Sequence, residues 1–165
     1  MSFWEIITIF GDIQFWIGVI LTSLLFLFTT PKRVRRHIIW FVFQVLPAII
    51  VSYGIVYILK LILKIPRPCL GLSYCPNTYS FPSGHAAVIF TAATILSLHY
   101  KNKGFAPLLL IFAGLVAFSR IMLGVHRIED IIFGSIIGLI VGLIIQRLCK
   151  KYYKNVLELF QKFIK

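Results

Sequence analysis

The feature that most limits what this chain can fold into is a succession of apolar runs, each about as long as a bilayer core is thick. They read as about Ile13 to Phe28, Ile38 to Leu63, Ser83 to Tyr100, Pro107 to Leu123 and Asp130 to Leu148. Runs of roughly 18 or more apolar residues are read as membrane-crossing helices, because only a helix satisfies its own backbone in lipid. Composition agrees: 59% of the 165 residues are hydrophobic and 13% charged, against roughly 45–50% apolar in a soluble domain. The expected fold is all-α, a polytopic transmembrane helix bundle of about five spans. It forms a single domain over residues 1–165, with little chain left for a separate soluble unit.

The edges of the runs carry their own signals. Gly11 and Asp12 interrupt the first apolar stretch, so Phe3 to Gly11 reads as an interfacial piece ahead of the first span. Pro47 lies inside the second span, where neighbouring helices can re-satisfy the freed carbonyl. Gly134, Gly138 and Gly142 fall four apart in the last span, the small-residue spacing that lets two helices approach closely. From Lys150 onward, Tyr152, Tyr153, Val156, Leu157, Phe160, Phe163 and Ile164 share one helical face, with Lys151, Lys154 and Lys162 between them. This predicts an amphipathic helix on the membrane surface.

Charge sets an orientation. The net charge is +12, from 17 Lys and Arg against 5 Asp and Glu. In a soluble chain that balance would suggest nucleic acid. Here the cations flank apolar runs, so a membrane surface explains them and no nucleic-acid partner is expected. The cluster Lys32, Arg33, Arg35 and Arg36 after the first span marks the cytoplasmic side. Alternating spans then place the C-terminus in the cytoplasm. Lys60, Lys64, Arg67, Arg120 and Arg127 fall on the opposite face, against the bias, which asks for a functional explanation. Cys69 and Cys75 share the loop between the second and third spans. They pair if that loop meets an oxidising compartment and are free thiols otherwise.

Three segments end on that opposite face: Lys60 to Pro68, Phe81 to Ala87, and Ser119 to Asp130. Together they gather three cations, two histidines, a Ser-Gly helix start and a carboxylate. Lys60, Arg67 and Arg120 suit the oxygens of a phosphate. Ser83 and Gly84 open a helix, where free N–H groups and the dipole favour an anion. If the last helix reaches back to His126, that residue and Asp130 share a face at i and i+4. The carboxylate can then take the Nδ1 proton and leave Nε2 free to attack phosphorus. His85 can protonate the leaving oxygen and later activate water. Cations at these positions do the work a metal does elsewhere, and the five scattered carboxylates suggest no metal cage.

The pattern K-x6-RP, PSGH and SR-x5-H-x3-D, complete between Lys60 and Asp130, resembles the type 2 phosphatidic acid phosphatase (PAP2) superfamily. The resemblance implies His126 as nucleophile, Asp130 as its orienter and His85 as general acid and base. It implies Lys60, Arg67, Ser83, Gly84 and Arg120 as phosphate-binding positions, and no cofactor or metal. Vanadate-dependent haloperoxidases share the pattern but are mostly larger and soluble. Membrane members commonly have six spans against about five here, with Phe3 to Gly11 standing in for the missing one. The expected protein is a bacterial cytoplasmic-membrane lipid phosphatase with its site facing outward. Expected substrates are undecaprenyl pyrophosphate, phosphatidylglycerol phosphate or lipid A 1-phosphate. A lipid phosphotransferase with the same residues, or a non-catalytic lipid-phosphate binder, are the alternatives.

Overall fold

The computed structural model of the chain describes residues 2–27, 29–100 and 104–163, with side chains as far as Tyr152. Its regular elements are all helices among these residues. A short helix α1 (Phe3–Thr8) runs into a 3-10 turn (Ile9–Gly11) and then α2 (Ile13–Leu25). Four longer helices follow: α3 (Lys32–Leu63), α4 (Gly84–Tyr100), α5 (Phe105–Met122) and α6 (Ile128–Phe163). Among the described residues, α3, α5 and α6 are each long and apolar enough to cross a bilayer. The pair formed by Phe3–Gly11 and Ile13–Leu25 passes the same test together, bent by 62°. Helix α4, apolar but only 17 residues long, spans about 26 Å at the usual helical rise.

Helix α4 is the centre of the bundle and touches α3, α5 and α6. Its small residues make this possible: Ala86, Ala87, Ala92 and Ala93 are all buried, with Val88, Ile89, Thr91 and Ile95 between them. The glycine stripe of α6 lies on this helix, as the four-residue spacing predicts. A Cβ on Gly138 would fall onto the Ala87 carbonyl and 2.9 Å from Phe90 Cβ, and one on Gly142 would lie 2.8 Å from Thr94 Cβ. The backbone of α6 therefore lies directly on α4 along the seam, with no side chain of its own at these glycines. The apolar core runs outward from α4 through Trp16, Trp40, Val45, Ile49 and Val116.

Two sequence expectations change. Helix α3 begins at Lys32 rather than near Ile38, so the basic cluster forms its first turns. A run of good helix formers with Pro31 just ahead explains this, since proline favours a helix start and not an interior. The tail beyond Lys150 starts no helix of its own but continues α6, because neither glycine nor proline interrupts it. How the faces of Tyr153 and the residues after it turn lies outside the described side chains. The N-terminal piece, expected to be interfacial, packs against the bundle: α1 lies on α5, and Ile7 is buried.

Candidate active site

All three sequence segments converge at one end of α4. Lys60 stands in the last turn of α3, which closes on a left-handed Lys64 (φ 50°). The loop after it folds back on the helix ends. Ser80 N–H donates to the Ile65 carbonyl at 2.8 Å, and a Cys69–Cys75 disulfide ties the outer part of the loop, its Cα atoms 5.5 Å apart. Lys60 Nζ holds the inner part by donating to the carbonyls of Tyr79 and Ser80. Ser83 N–H then donates to the Asp130 carbonyl at 2.9 Å, joining the start of α4 to the start of α6.

Helix α5 ends at Met122, and Gly124 (φ 67°) turns the chain in a left-handed conformation. Both Val125 and His126 N–H groups donate to the Arg120 carbonyl, at 3.2 and 3.3 Å. Helix α6 starts only at Ile128, so His126 precedes it and the expected extension of the helix back to His126 does not occur. The pairing with Asp130 survives for another reason. Asp130 Oδ2 accepts the N–H of Arg127 at 2.9 Å, capping the helix start, and this turns the same oxygen towards His126.

The result is a dry hydrogen-bonded chain. His126 Nδ1 lies 3.1 Å from Asp130 Oδ2, and the side chains are 2% and 3% exposed. Ser80 Oγ donates to that same carboxylate oxygen. On the far side of the ring, Arg67 Nη1 lies 3.1 Å from His126 Nε2. A guanidinium can only donate, so Nε2 is the acceptor and the proton resides on Nδ1. Burial pushes the His126 imidazole down to about 4, reinforced by the Arg67, Lys60 and Arg120 cations and opposed by the Asp130 hydrogen bond. At neutral pH the ring carries one proton, and its free lone pair is on Nε2.

The cations differ in how much they have left to give. Arg67 is heavily engaged: Nε and Nη2 donate to the Thr78 carbonyl and hydroxyl at 2.7 and 2.8 Å, and Nη1 also reaches the Val125 carbonyl at 2.9 Å. Arg120 Nη1 donates to Thr8 Oγ1 at 2.8 Å, while its buried Nε–H has no partner among the described residues. At the start of α4, Ser83 helps satisfy two of the four N–H groups that a helix leaves open, its own, given to the Asp130 carbonyl, and that of Ala86. Its Oγ accepts from Ala86 and its carbonyl from Ala87. The N–H groups of Gly84 and His85 have no protein acceptor among the described residues. Ser83 is thus a helix cap, fully buried. A Cβ on Gly84 would face Tyr53 and Val56 of α3 at ordinary contact distances, so it is the N–H of Gly84, and not its missing side chain, that is open. His85 Nε2 lies 3.8 Å from Asp12 Oδ2, and Arg120 and Arg67 are within electrostatic reach of the ring.

The structure brings together all eight residues that the sequence singled out and adds four. Thr78 and Ser80 carried no signal, because the loop holds several hydroxyls and nothing in their spacing marks these two. Thr8 and Asp12 did carry one. They are polar residues four apart within an apolar stretch, next to a glycine.

A family model described as the PAP2 superfamily matches residues 41–154. The chain belongs to the PAP2 superfamily. It is 34% identical over 131 residues to an undecaprenyl-diphosphatase of Sulfolobus acidocaldarius, a match covering 78% of this chain but only 61% of that relative's length. Its fold is similar to that of LpxE from Aquifex aeolicus, with a TM-score of 0.70, 28% identity, and 88% and 84% of the two chains covered. A PAP2-type phosphatidylglycerolphosphate phosphatase from Bacillus subtilis shares the fold at a TM-score of 0.70 and 23% identity, over 90% and 75% of the chains. Membrane-crossing helices and membrane relatives of this superfamily make the chain an integral membrane protein.

Proposed function

We propose that this protein is a lipid phosphatase that removes a phosphate from a phosphomonoester or diphosphate on a membrane lipid through a phosphohistidine at His126. The observation that carries the reading is the chain Asp130–His126–Arg67. It fixes the Nδ1–H tautomer and presents the Nε2 lone pair to a guanidinium, the group that a phosphate would engage. In the first step Nε2 attacks phosphorus while the bond to the leaving oxygen breaks, and His85 gives that oxygen a proton. In the second, His85 takes a proton from water, the hydroxyl oxygen bonds to phosphorus, and the P–N bond breaks to free phosphate and His126.

Charge on the transferring group is met by Arg120, whose unpartnered Nε–H needs an acceptor, by the open N–H groups of Gly84 and His85, and by Lys60. Arg67 joins by exchange. Its contact with Nε2 must be given up for attack, and a phosphate oxygen is the stronger, charge-assisted acceptor. The site opens at one membrane boundary. Its cations run against the positive-inside bias and the nearby loop carries a disulfide, which supports an outward-facing site in a bacterial cytoplasmic membrane. The undecaprenyl-diphosphatase relative favours a polyprenyl diphosphate, with phosphatidylglycerol phosphate and lipid A 1-phosphate as the other substrates to compare.

The test is phosphate release by purified protein in detergent with EDTA, from a panel of these lipids, beside His126→Ala. Release that survives EDTA and is absent in the variant supports the reading, and relative rates rank the lipids. Folded protein that releases phosphate from none of them would defeat it.

A further inference from the structure

Residues 41–154 carry the family match, and helices α1 and α2 lie outside it. Yet the bend between these helices reaches the site. We propose that Asp12 is a positioning residue for His85: its carboxylate holds the imidazole and balances the ring's charge while His85 protonates the leaving group. This rests on the acid role proposed above for His85.

The geometry argues against the ordinary reading of an aspartate at this place. Asp12 occupies the N-cap of α2 in extended backbone (φ −78°, ψ 135°), where a carboxylate normally accepts N–H groups of its own helix. It makes no such bond. Its Oδ2 is turned instead to His85 Nε2, 3.8 Å away on α4. The approach is built into the backbone: a Cβ on Gly11 would lie 2.9 Å from His85 Cβ and 3.1 Å from its Cδ2, so only glycine lets the bend sit this close. One turn earlier, Thr8 Oγ1 accepts from Arg120 Nη1 on α5. The N-terminal element therefore delivers two polar groups, four residues apart, to two different residues of the site.

The chemistry needs such a partner. To act as an acid, His85 must enter the first step as an imidazolium, but Arg120 and Arg67 both face it with like charge. Among the described groups that face the ring, Asp12 is the one carboxylate. It favours the protonated ring without itself exchanging a proton. His85 passes one proton to the leaving oxygen as the P–O bond breaks, and recovers one from water in the second step. With 47% of its side chain exposed, Asp12 sits where that water arrives.

The experiment compares kcat/KM, which reports steps up to phosphoryl transfer, for two substrates: an alkyl phosphate lipid, whose leaving group needs a proton, and an aryl phosphate such as p-nitrophenyl phosphate, whose leaving group does not. Asp12→Asn and Asp12→Ser both keep a good N-cap and remove the charge. For both variants the alkyl substrate is expected to lose about 10- to 100-fold and the aryl substrate less than about 3-fold, as for impaired general acid catalysis. Equal losses on both substrates, or none on either, would overturn the proposal. Wild-type protein inactive on both would remove the phosphatase reading itself, a separate result.

Discussion

The two histidines of the site are held in opposite ways. His126 is sealed, with side-chain exposure of 2%, a carboxylate at 3.1 Å that is itself 3% exposed, a serine behind that carboxylate and an arginine on the far nitrogen. His85 is 21% exposed, and its carboxylate stands 3.8 Å away and is 47% exposed. The contrast matches what the proposed roles demand. A nucleophile needs one tautomer and a lone pair aimed in one direction, and dryness with fixed partners supplies both. A group that must give a proton and recover one from water works only where water can reach it. One ring is buried among fixed partners, and the other is partly exposed beside a half-exposed carboxylate.

Substitutions test this contrast, the largest effect first. His126→Ala removes the nucleophile and should lower kcat by at least about 10⁴-fold, the scale seen when a covalent-catalysis nucleophile is lost. Protein quenched in alkali, where a P–N bond survives, should then carry no phosphohistidine. His85→Ala on an aryl substrate should instead let phosphohistidine accumulate, since water activation suffers more than attack. If both variants behave alike, the division of roles is wrong.

Asp130→Asn should cost on the order of 10³-fold, because an amide cannot hold the Nδ1–H tautomer as the carboxylate does. Asp12→Asn should cost far less, and on alkyl leaving groups only. A reversed order would mean that the exposed pair, not the buried one, governs attack. Ser80→Ala should lower kcat about 10-fold, the worth of one hydrogen bond to a charged group. Thr8→Val should raise KM about 3-fold, through a looser Arg120, and leave kcat nearly unchanged. The gentlest test is titration of His126 by ¹⁵N NMR of histidine-labelled protein. A lowered pKa means that the proton leaves at lower pH, so the ring should stay neutral from pH 8 down to near its pKa of about 4. A midpoint near 6.5 would show that the ring is wetter than the structure has it.

Much of this was legible before any coordinates. Runs of apolar residues placed the spans, and three charged segments with fixed spacing pointed to eight candidate residues that the structure brings together, because a cation in an apolar context is costly and so carries information. The pairing of His126 with Asp130 was right for an incomplete reason. Spacing suggested a shared helix face, whereas the carboxylate is aimed by capping the helix that starts after His126. Ser80 was invisible because hydroxyls are common in loops, and only the return of the chain to Ile65 places this one on Asp130. Asp12 was seen only as an interruption of an apolar run. Its role depends on a bend of 62°, and a bend's direction is set by what packs against it and not by local sequence.

The seam between α4 and α6 has a further consequence. With backbone lying on backbone along Gly134, Gly138 and Gly142, no acyl or prenyl tail can slip between those two helices. A lipid drifting in the plane of the bilayer meets that flank as a closed wall. If the proposed function holds, a lipid bound for His126 comes by some other flank, so the glycines that join α4 to α6 also limit from which compass points it can arrive.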